Sequence, residues 1–171
     1  MQTVQIEIYN FDELDNKAQE LAIEKNRDIL TDFNWWEDTY YDAKQNGVRI
    51  TGFDLDRGQS INGEFIWSEI EVADKMIMDF GECTEMYDIA KRFLRYREEL
   101  CDNWEYIDGA PTNEDELEEK LNEIEYQFQQ NVLNEYWKYL RDEYEYLNSD
   151  ECIAEHLQAN QYKFTKDGKN Y

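Results

Sequence analysis

The sequence predicts an α+β protein: a small antiparallel sheet of three to four strands packed with about six helices, one of them a long amphipathic helix in the C-terminal half. Three observations carry this expectation. Two strand-like runs flank a turn-rich segment over residues 57–63. Helical periodicity punctuated by capping residues fills most of the remainder. Strands and helices do not alternate in the order that a parallel sheet would need.

Residues 3–9 alternate, with Val4, Ile6 and Ile8 on one face and Gln5 and Glu7 on the other, which reads as a short strand. Asp15 is placed to cap a helix running to about Thr31, with Ala18, Leu21, Ala22 and Ile29 on its apolar side. A second helix covers Trp35 to Asn46, and Gly47 can end it in a left-handed conformation. Strand-like runs at 48–56 and 64–72 follow, joined by Arg57-Gly58-Gln59-Ser60-Ile61-Asn62-Gly63 as a hairpin connection.

Helices are next expected at about 72–80 and 85–100, broken at Gly81 and capped by Thr84. A loop over residues 102–111 holds the single proline. From Thr112 onward Leu117, Leu121, Ile124 and Phe128 fall at i, i+4, i+7 and i+11, the stripe of an amphipathic helix. Val132, Tyr136, Tyr139, Leu140 and Leu147 extend it. Ser149 and Asp150 open a short helix to about Asn160, and residues 162–165 suggest a last strand and turn.

A chain of 171 residues is expected to form one domain, 1–171, with an α/β part over about 1–72 and a helical, acidic part over about 73–171. Aromatic residues make up 15% of it, which separates it from acidic disordered tails, so the net charge of −24 is carried on a folded body. That charge opposes direct binding to nucleic acid or anionic membrane, both of which require Lys and Arg. It favours basic surfaces instead, with fast, salt-sensitive association. No stretch reaches the ~20 apolar residues of a membrane span. The first residues lack the basic and apolar regions of a secretory signal, so a cytoplasmic location is expected.

Motifs for catalysis are scarce. His156 is the lone histidine and has no Ser–His–Asp or Cys–His context, so it reads as structural. HExxH, GxxxxGK[ST] and GxGxxG do not occur. Cys83, Cys101 and Cys152 are odd in number and lack CxxC spacing; they read as ordinary buried thiols. Asp54 and Asp56, at i and i+2 on a strand end, point to one face and are weak candidates for a divalent metal, although Asp56-Arg57-Gly58 is also good turn chemistry. The expectation is a protein that binds rather than catalyses, with no catalytic residue and no cofactor.

The acidity is uneven. From Glu98 to Tyr162 there are 19 Asp and Glu against only Lys120, Lys138 and Arg141, about two-thirds of the whole excess. Glu114 and Glu118 lie one turn apart, as do Glu119 and Glu123; Asp115 joins the second row, and Glu125 follows about two turns beyond Glu118. Same-sign neighbours at that spacing cost the helix tenths of a kcal/mol per pair. Acids in the first turn favour the helix dipole, but the later ones have no such compensation.

The candidate binding surface therefore comprises Glu114, Asp115, Glu118, Glu119, Glu123 and Glu125, continued by Glu135, Asp142, Glu143 and Glu145. Tyr126, Tyr139 and Tyr144 are interleaved as contact rings. Carboxylates fixed along a rod can imitate a phosphate backbone. The implied partner is a basic nucleic-acid-binding protein. The basic cluster Lys91, Arg92, Arg95 and Arg97 has Glu98 and Glu99 beside it and reads as a neutralised helix face.

The segments Phe11-Asp12-Glu13-Leu14, Trp36-Glu37-Asp38-Thr39, Gly52-Phe53-Asp54-Leu55-Asp56-Arg57-Gly58, the run 143–151 and the run 159–168 resemble a family of small acidic proteins encoded by bacteriophages and prophages. The resemblance spans nearly the whole chain and implies a product acting in the bacterial cytoplasm. In size and charge the chain is also similar to the nucleic-acid mimics with which phages block restriction enzymes and CRISPR effectors. The functional expectation is an inhibitor of that kind; an antitoxin-like or regulatory stoichiometric partner protein is the alternative.

Overall fold

The computed structural model of the chain describes residues 7–171. Among the described residues the helices are α1 (Asn16–Lys25), α2 (Glu37–Gln45), α3 (Glu69–Asp79), α4 (Glu85–Asp102), α5 (Glu114–Leu147) and α6 (Asp150–Ala159). The strands are β1 (Val48–Asp54), β2 (Ser60–Phe65), β3 (Tyr106–Ile107) and β4 (Ala110–Pro111). The class is α+β. The strands form two separate two-stranded antiparallel sheets, β1–β2 and β3–β4, in place of the single larger sheet that the sequence suggests. The strand expected over 3–9 rests mostly on residues outside the described ones.

Contacts divide the chain after Trp35 and again after Arg141, where the sequence suggests a change of character near residue 72. One compact unit contains the described residues up to Trp35 together with Asp142–Tyr171; the other is Trp36–Arg141.

In the first unit, the Asp15 carboxylate caps α1 by accepting from the Ala18 N–H at 2.9 Å. α1 stops well short of Thr31. The amide of Asn26, which is buried, donates to the Ala22 carbonyl at 2.7 Å and exchanges two hydrogen bonds of 2.9 Å with Asn170. That side chain offers the backbone a competing partner and turns the chain. Ala18 and Ala22 face a core of Phe11, Leu14, Leu30, Ile153, Leu157 and Phe164. Ser149 caps α6 through the Cys152 N–H at 3.2 Å. The expected last strand is reduced to isolated bridges from Phe164 to Tyr9 and Asn170.

In the second unit, Gly47 (φ +78) ends α2, and β1 follows at once with Val48 and Ile50 buried. The register slips by one residue between Ile50 and Gly52, a bulge opposite Gly63 and Asn62. β2 begins at Ser60 and ends at Phe65, so the expected strand at 64–72 is displaced. A capping box explains where it stops: the Ser68 hydroxyl accepts from the Glu71 N–H while the Glu71 carboxylate accepts from the Ser68 N–H at 3.0 Å, opening α3 at Glu69. Thr84 caps α4 through the Tyr87 N–H at 3.3 Å.

The expected loop at 102–111 contains the β3–β4 hairpin, because Asp108 (φ 53) and Gly109 (φ 80) supply the two left-handed positions of a tight turn. α5 buries Phe128, Val132, Leu133, Tyr136 and Leu140. Phe128 stacks on Phe93 of α4 with centroids 4.2 Å apart, and Met76, Met86, Val72 and Ala73 complete this core. Full burial of each large apolar side chain contributes roughly 1.5–3 kcal/mol.

Candidate functional site

A helix advances ~100° and 1.5 Å per residue. Measured from Glu114, the apolar residues Leu117, Leu121, Ile124 and Phe128 occupy the arc between ~280° and ~340°. Glu114, Glu118, Asp115, Glu119 and Glu123 fall between 0° and ~180° on the other side, and all five are exposed. Tyr126, 62% exposed, shares that arc at ~120°. Burial of the apolar stripe therefore turns these carboxylates outward. None of the five forms an ion pair with a described residue.

Lys120, the base nearest in sequence, lies at ~240°, turned away from this arc. Its ammonium pairs with Glu116 at 2.9 Å and sits 5.0 Å from the centre of the Trp104 ring. The Lys120 hydrogen bond holds the Glu116 carboxyl below its ordinary range. Lys120 thus neutralises Glu116 and leaves the outward row alone.

Other sequence-designated residues are placed differently. Glu125 is half-buried on the flank of α5 and faces Arg97 of α4 at 3.8 Å. Burial pushes its carboxyl above the ordinary value, Glu69 adds to this, and Arg97 opposes it. Glu135 is 6% exposed and held by Lys138 at 2.7 Å, so it belongs to the protein's interior rather than to a docking surface. Tyr139 is half-buried, edge-on to the fully buried Tyr136 at 6.0 Å, and burial raises its hydroxyl pKa. Asp142, Glu143, Tyr144 and Glu145 belong to the other compact unit; there the Tyr144 ring, 39% exposed, leans on Trp35 at 5.5 Å.

The basic cluster on α4 is matched by acids. Arg92 pairs with Glu85 at 2.9 Å, Arg95 with Glu99 at 3.8 Å and Arg97 with Glu125. Lys91 stands over the Tyr87 ring. Glu98, expected beside this cluster, is not one of these partners.

Asp54, the weak metal candidate, is used by its own turn. Its Oδ1 accepts from the backbone N–H groups of Asp56 at 2.8 Å and Arg57 at 3.3 Å, and its Oδ2 accepts from Gly58 at 3.1 Å. Those bonds hold its pKa below the ordinary carboxylate value. Asp56 reaches Arg57 at 3.7 Å. No group of three or more His, Cys, Asp or Glu able to hold a metal occurs among the described residues.

Known protein families, curated proteins and solved structures give no match to this chain. Among the described residues no helix is long and apolar enough to cross a membrane. His156, on α6, is partly exposed and meets Asn160 at 3.3 Å and the Tyr162 ring at 6.0 Å. Cys83 is exposed and Cys101 and Cys152 are partly so, correcting the expectation of buried thiols; all three are free.

The sequence reading missed the outer side of α3. Trp67, Ile70 and Met78 are exposed, and Asp74 lies between them. Ser68-Glu69-Ile70-Glu71 is a capping-box pattern that would have started the expected helix at Glu69 rather than at about 72, adding Ile70 to the side that bears Asp74 and Met78, with Trp67 just before the cap.

Proposed function

We propose that the protein is a phage-encoded acidic inhibitor that imitates a nucleic-acid strand and occupies the basic DNA- or RNA-binding cleft of a bacterial defence protein. The single observation behind this reading is the outward row of α5, Glu114, Asp115, Glu118, Glu119 and Glu123, with Tyr126 beside it. Five carboxylates over about 14 Å of helix axis give roughly one charge per 3 Å, close to the ~3.4 Å per phosphate of a nucleic-acid strand. The row sits on the first turns of α5, opposite the buried Leu117, in a helix whose later turns carry Phe128, Val132 and Leu133 into the core, so little conformational entropy is lost on docking. A helix that accepts like-charge repulsion on its solvent face, when one lysine in the middle would relieve it, is arranged for a partner of opposite sign.

The partner is a host protein rather than nucleic acid or membrane. Binding replaces the counterions that a DNA or RNA ligand would displace, so it is steeply salt-dependent and competes with that ligand. The test uses purified nucleic-acid-binding defence proteins, restriction enzymes and CRISPR effectors, with labelled DNA as competitor. Binding that falls steeply with salt, is lost on reversing Asp115, Glu119 and Glu123 to lysine, and is mutually exclusive with DNA supports the reading. Binding that persists in high salt and coexists with DNA points instead to an antitoxin-like stoichiometric partner.

A further inference from the structure

We propose that the outer face of α3 is a second docking site, one that takes an arginine-bearing amphipathic segment of a partner protein. The Trp67 ring lies against Gly47: a β-carbon there would be 2.6 Å from the indole Cε3. The backbone thus fixes the plane of the ring, while the side chain remains 42% exposed. Trp67, Glu71, Asp74, Lys75 and Met78 line an open groove of about 390 Å³. Met78 is 80% exposed, and Ile70 adds a further exposed apolar side chain one turn from Trp67. An exposed tryptophan and an exposed methionine lining one groove are residue types that interaction surfaces favour.

The charge around the groove selects the occupant. Lys75, its one base, is already held by Asp79 at 2.6 Å. Asp74 and Glu71 are exposed, and Glu71 is turned back to the Ser68 cap. Asp74 is thereby left as the exposed carboxylate that lines the groove with the indole and the thioether and is not turned back to the cap. A guanidinium stacks on a fixed indole face and pairs with a neighbouring carboxylate, while its aliphatic stem lies along apolar surface. Met78, flexible and polarizable, adapts to the apolar side of the incoming segment. An acidic or purely apolar partner would leave Asp74 opposed or buried without a counter-charge. The site stands on α3 and does not rest on the proposed role of α5.

The test titrates the full chain, with ¹⁵N-labelled indoles, against a synthetic helix carrying leucine on one face and arginine on the other. The Trp67 indole resonance is assigned by its absence from Trp67→Phe. The expected result is saturable movement of that resonance, with affinity reduced about tenfold by Met78→Lys and by Asp74→Lys, and unchanged by lysine reversal of Asp115, Glu119 and Glu123. Met78 and Asp74 are solvent-exposed, so neither change threatens the fold. Movement of the Trp137 indole on α5 without movement of the Trp67 indole, the same affinity for an oligo-arginine peptide without leucine, or indifference to Met78→Lys would each overturn the proposal. Failure of the α5 reversals to affect defence-protein binding would bear only on the proposed function.

Discussion

A β-carbon added to Gly168 would run into the carbonyl oxygen of Ala18, because the terminal turn lies directly on the backbone of α1. Gly168 also has φ +81, where an L-residue is strained. Gly168→Ala is therefore expected to destabilise the chain by more than about 3 kcal/mol, combining left-handed strain with a clash against backbone that cannot yield. Gly109 has nearly the same φ, +80, but open space around its Cα, so Gly109→Ala isolates the strain and should cost only about 1 kcal/mol. Urea unfolding of the two variants side by side checks the difference.

Glu125 provides a pH-dependent test. Burial raises its carboxyl above the ordinary 4.5, so the native state holds the proton more tightly than the unfolded chain does. Its contribution to stability consequently declines as pH rises from about 4.5 through the higher folded value. Glu125→Gln removes that decline. The variant is expected to gain stability relative to wild type as pH rises from 4 to 7, because Gln has no proton to lose from a buried site. A pH series of urea unfolding free energies reads the effect, and a variant that loses stability relative to wild type towards neutral pH would contradict it.

Legibility in the sequence followed the range of the interaction. Asp15, Thr84 and Ser149 announce helix starts and Gly47 a helix end, because each acts on backbone within three residues. β2 was displaced because its centre is Gly63, where a β-carbon would sit 2.7 Å from Leu133 and 2.8 Å from the Arg49 carbonyl oxygen. A position emptied for a distant side chain breaks the alternation that marks a strand. α1 ends early through Asn170, far along the chain. The outward turn of Asp115, Glu119 and Glu123 follows from helical period alone. The half-burial of Glu125 against Arg97 and the burial of Glu135 required knowing how α5 packs.

Asp54 separates a structural carboxylate from a metal ligand. Three backbone N–H groups converge on it, so Asp54→Ala should lower the urea midpoint, and Asp54→Asn, which keeps one acceptor oxygen, should lower it less. Addition of Ca²⁺ or Mg²⁺ is expected to leave the melting temperature of the wild-type chain unchanged beyond what equal ionic strength produces. A specific rise with Ca²⁺ that disappears in Asp54→Asn would reassign the residue to a cation site.

Glu119 lies one turn from both Asp115 and Glu123 on the solvent side of α5, and all three are exposed. Glu119→Lys converts two like-charge i,i+4 pairs into two attractive ones, each change being worth a few tenths of a kcal/mol. The variant should therefore be more stable by about 0.5–1 kcal/mol at low salt, with the gain shrinking as salt screens the pairs. If the row is a docking surface, the same substitution weakens binding to a basic cleft, because one attraction becomes a repulsion. Stability and binding then move in opposite directions on a single change. Glu116→Gln supplies the control: it removes an acid already neutralised by Lys120, and should leave binding intact while slightly lowering stability. Urea unfolding at low and high salt, paired with competition binding against DNA, measures both arms. A loss of binding in Glu116→Gln about half that in Glu119→Lys, in proportion to the one and two units of charge they change, would mean that total charge, rather than the outward row, governs association.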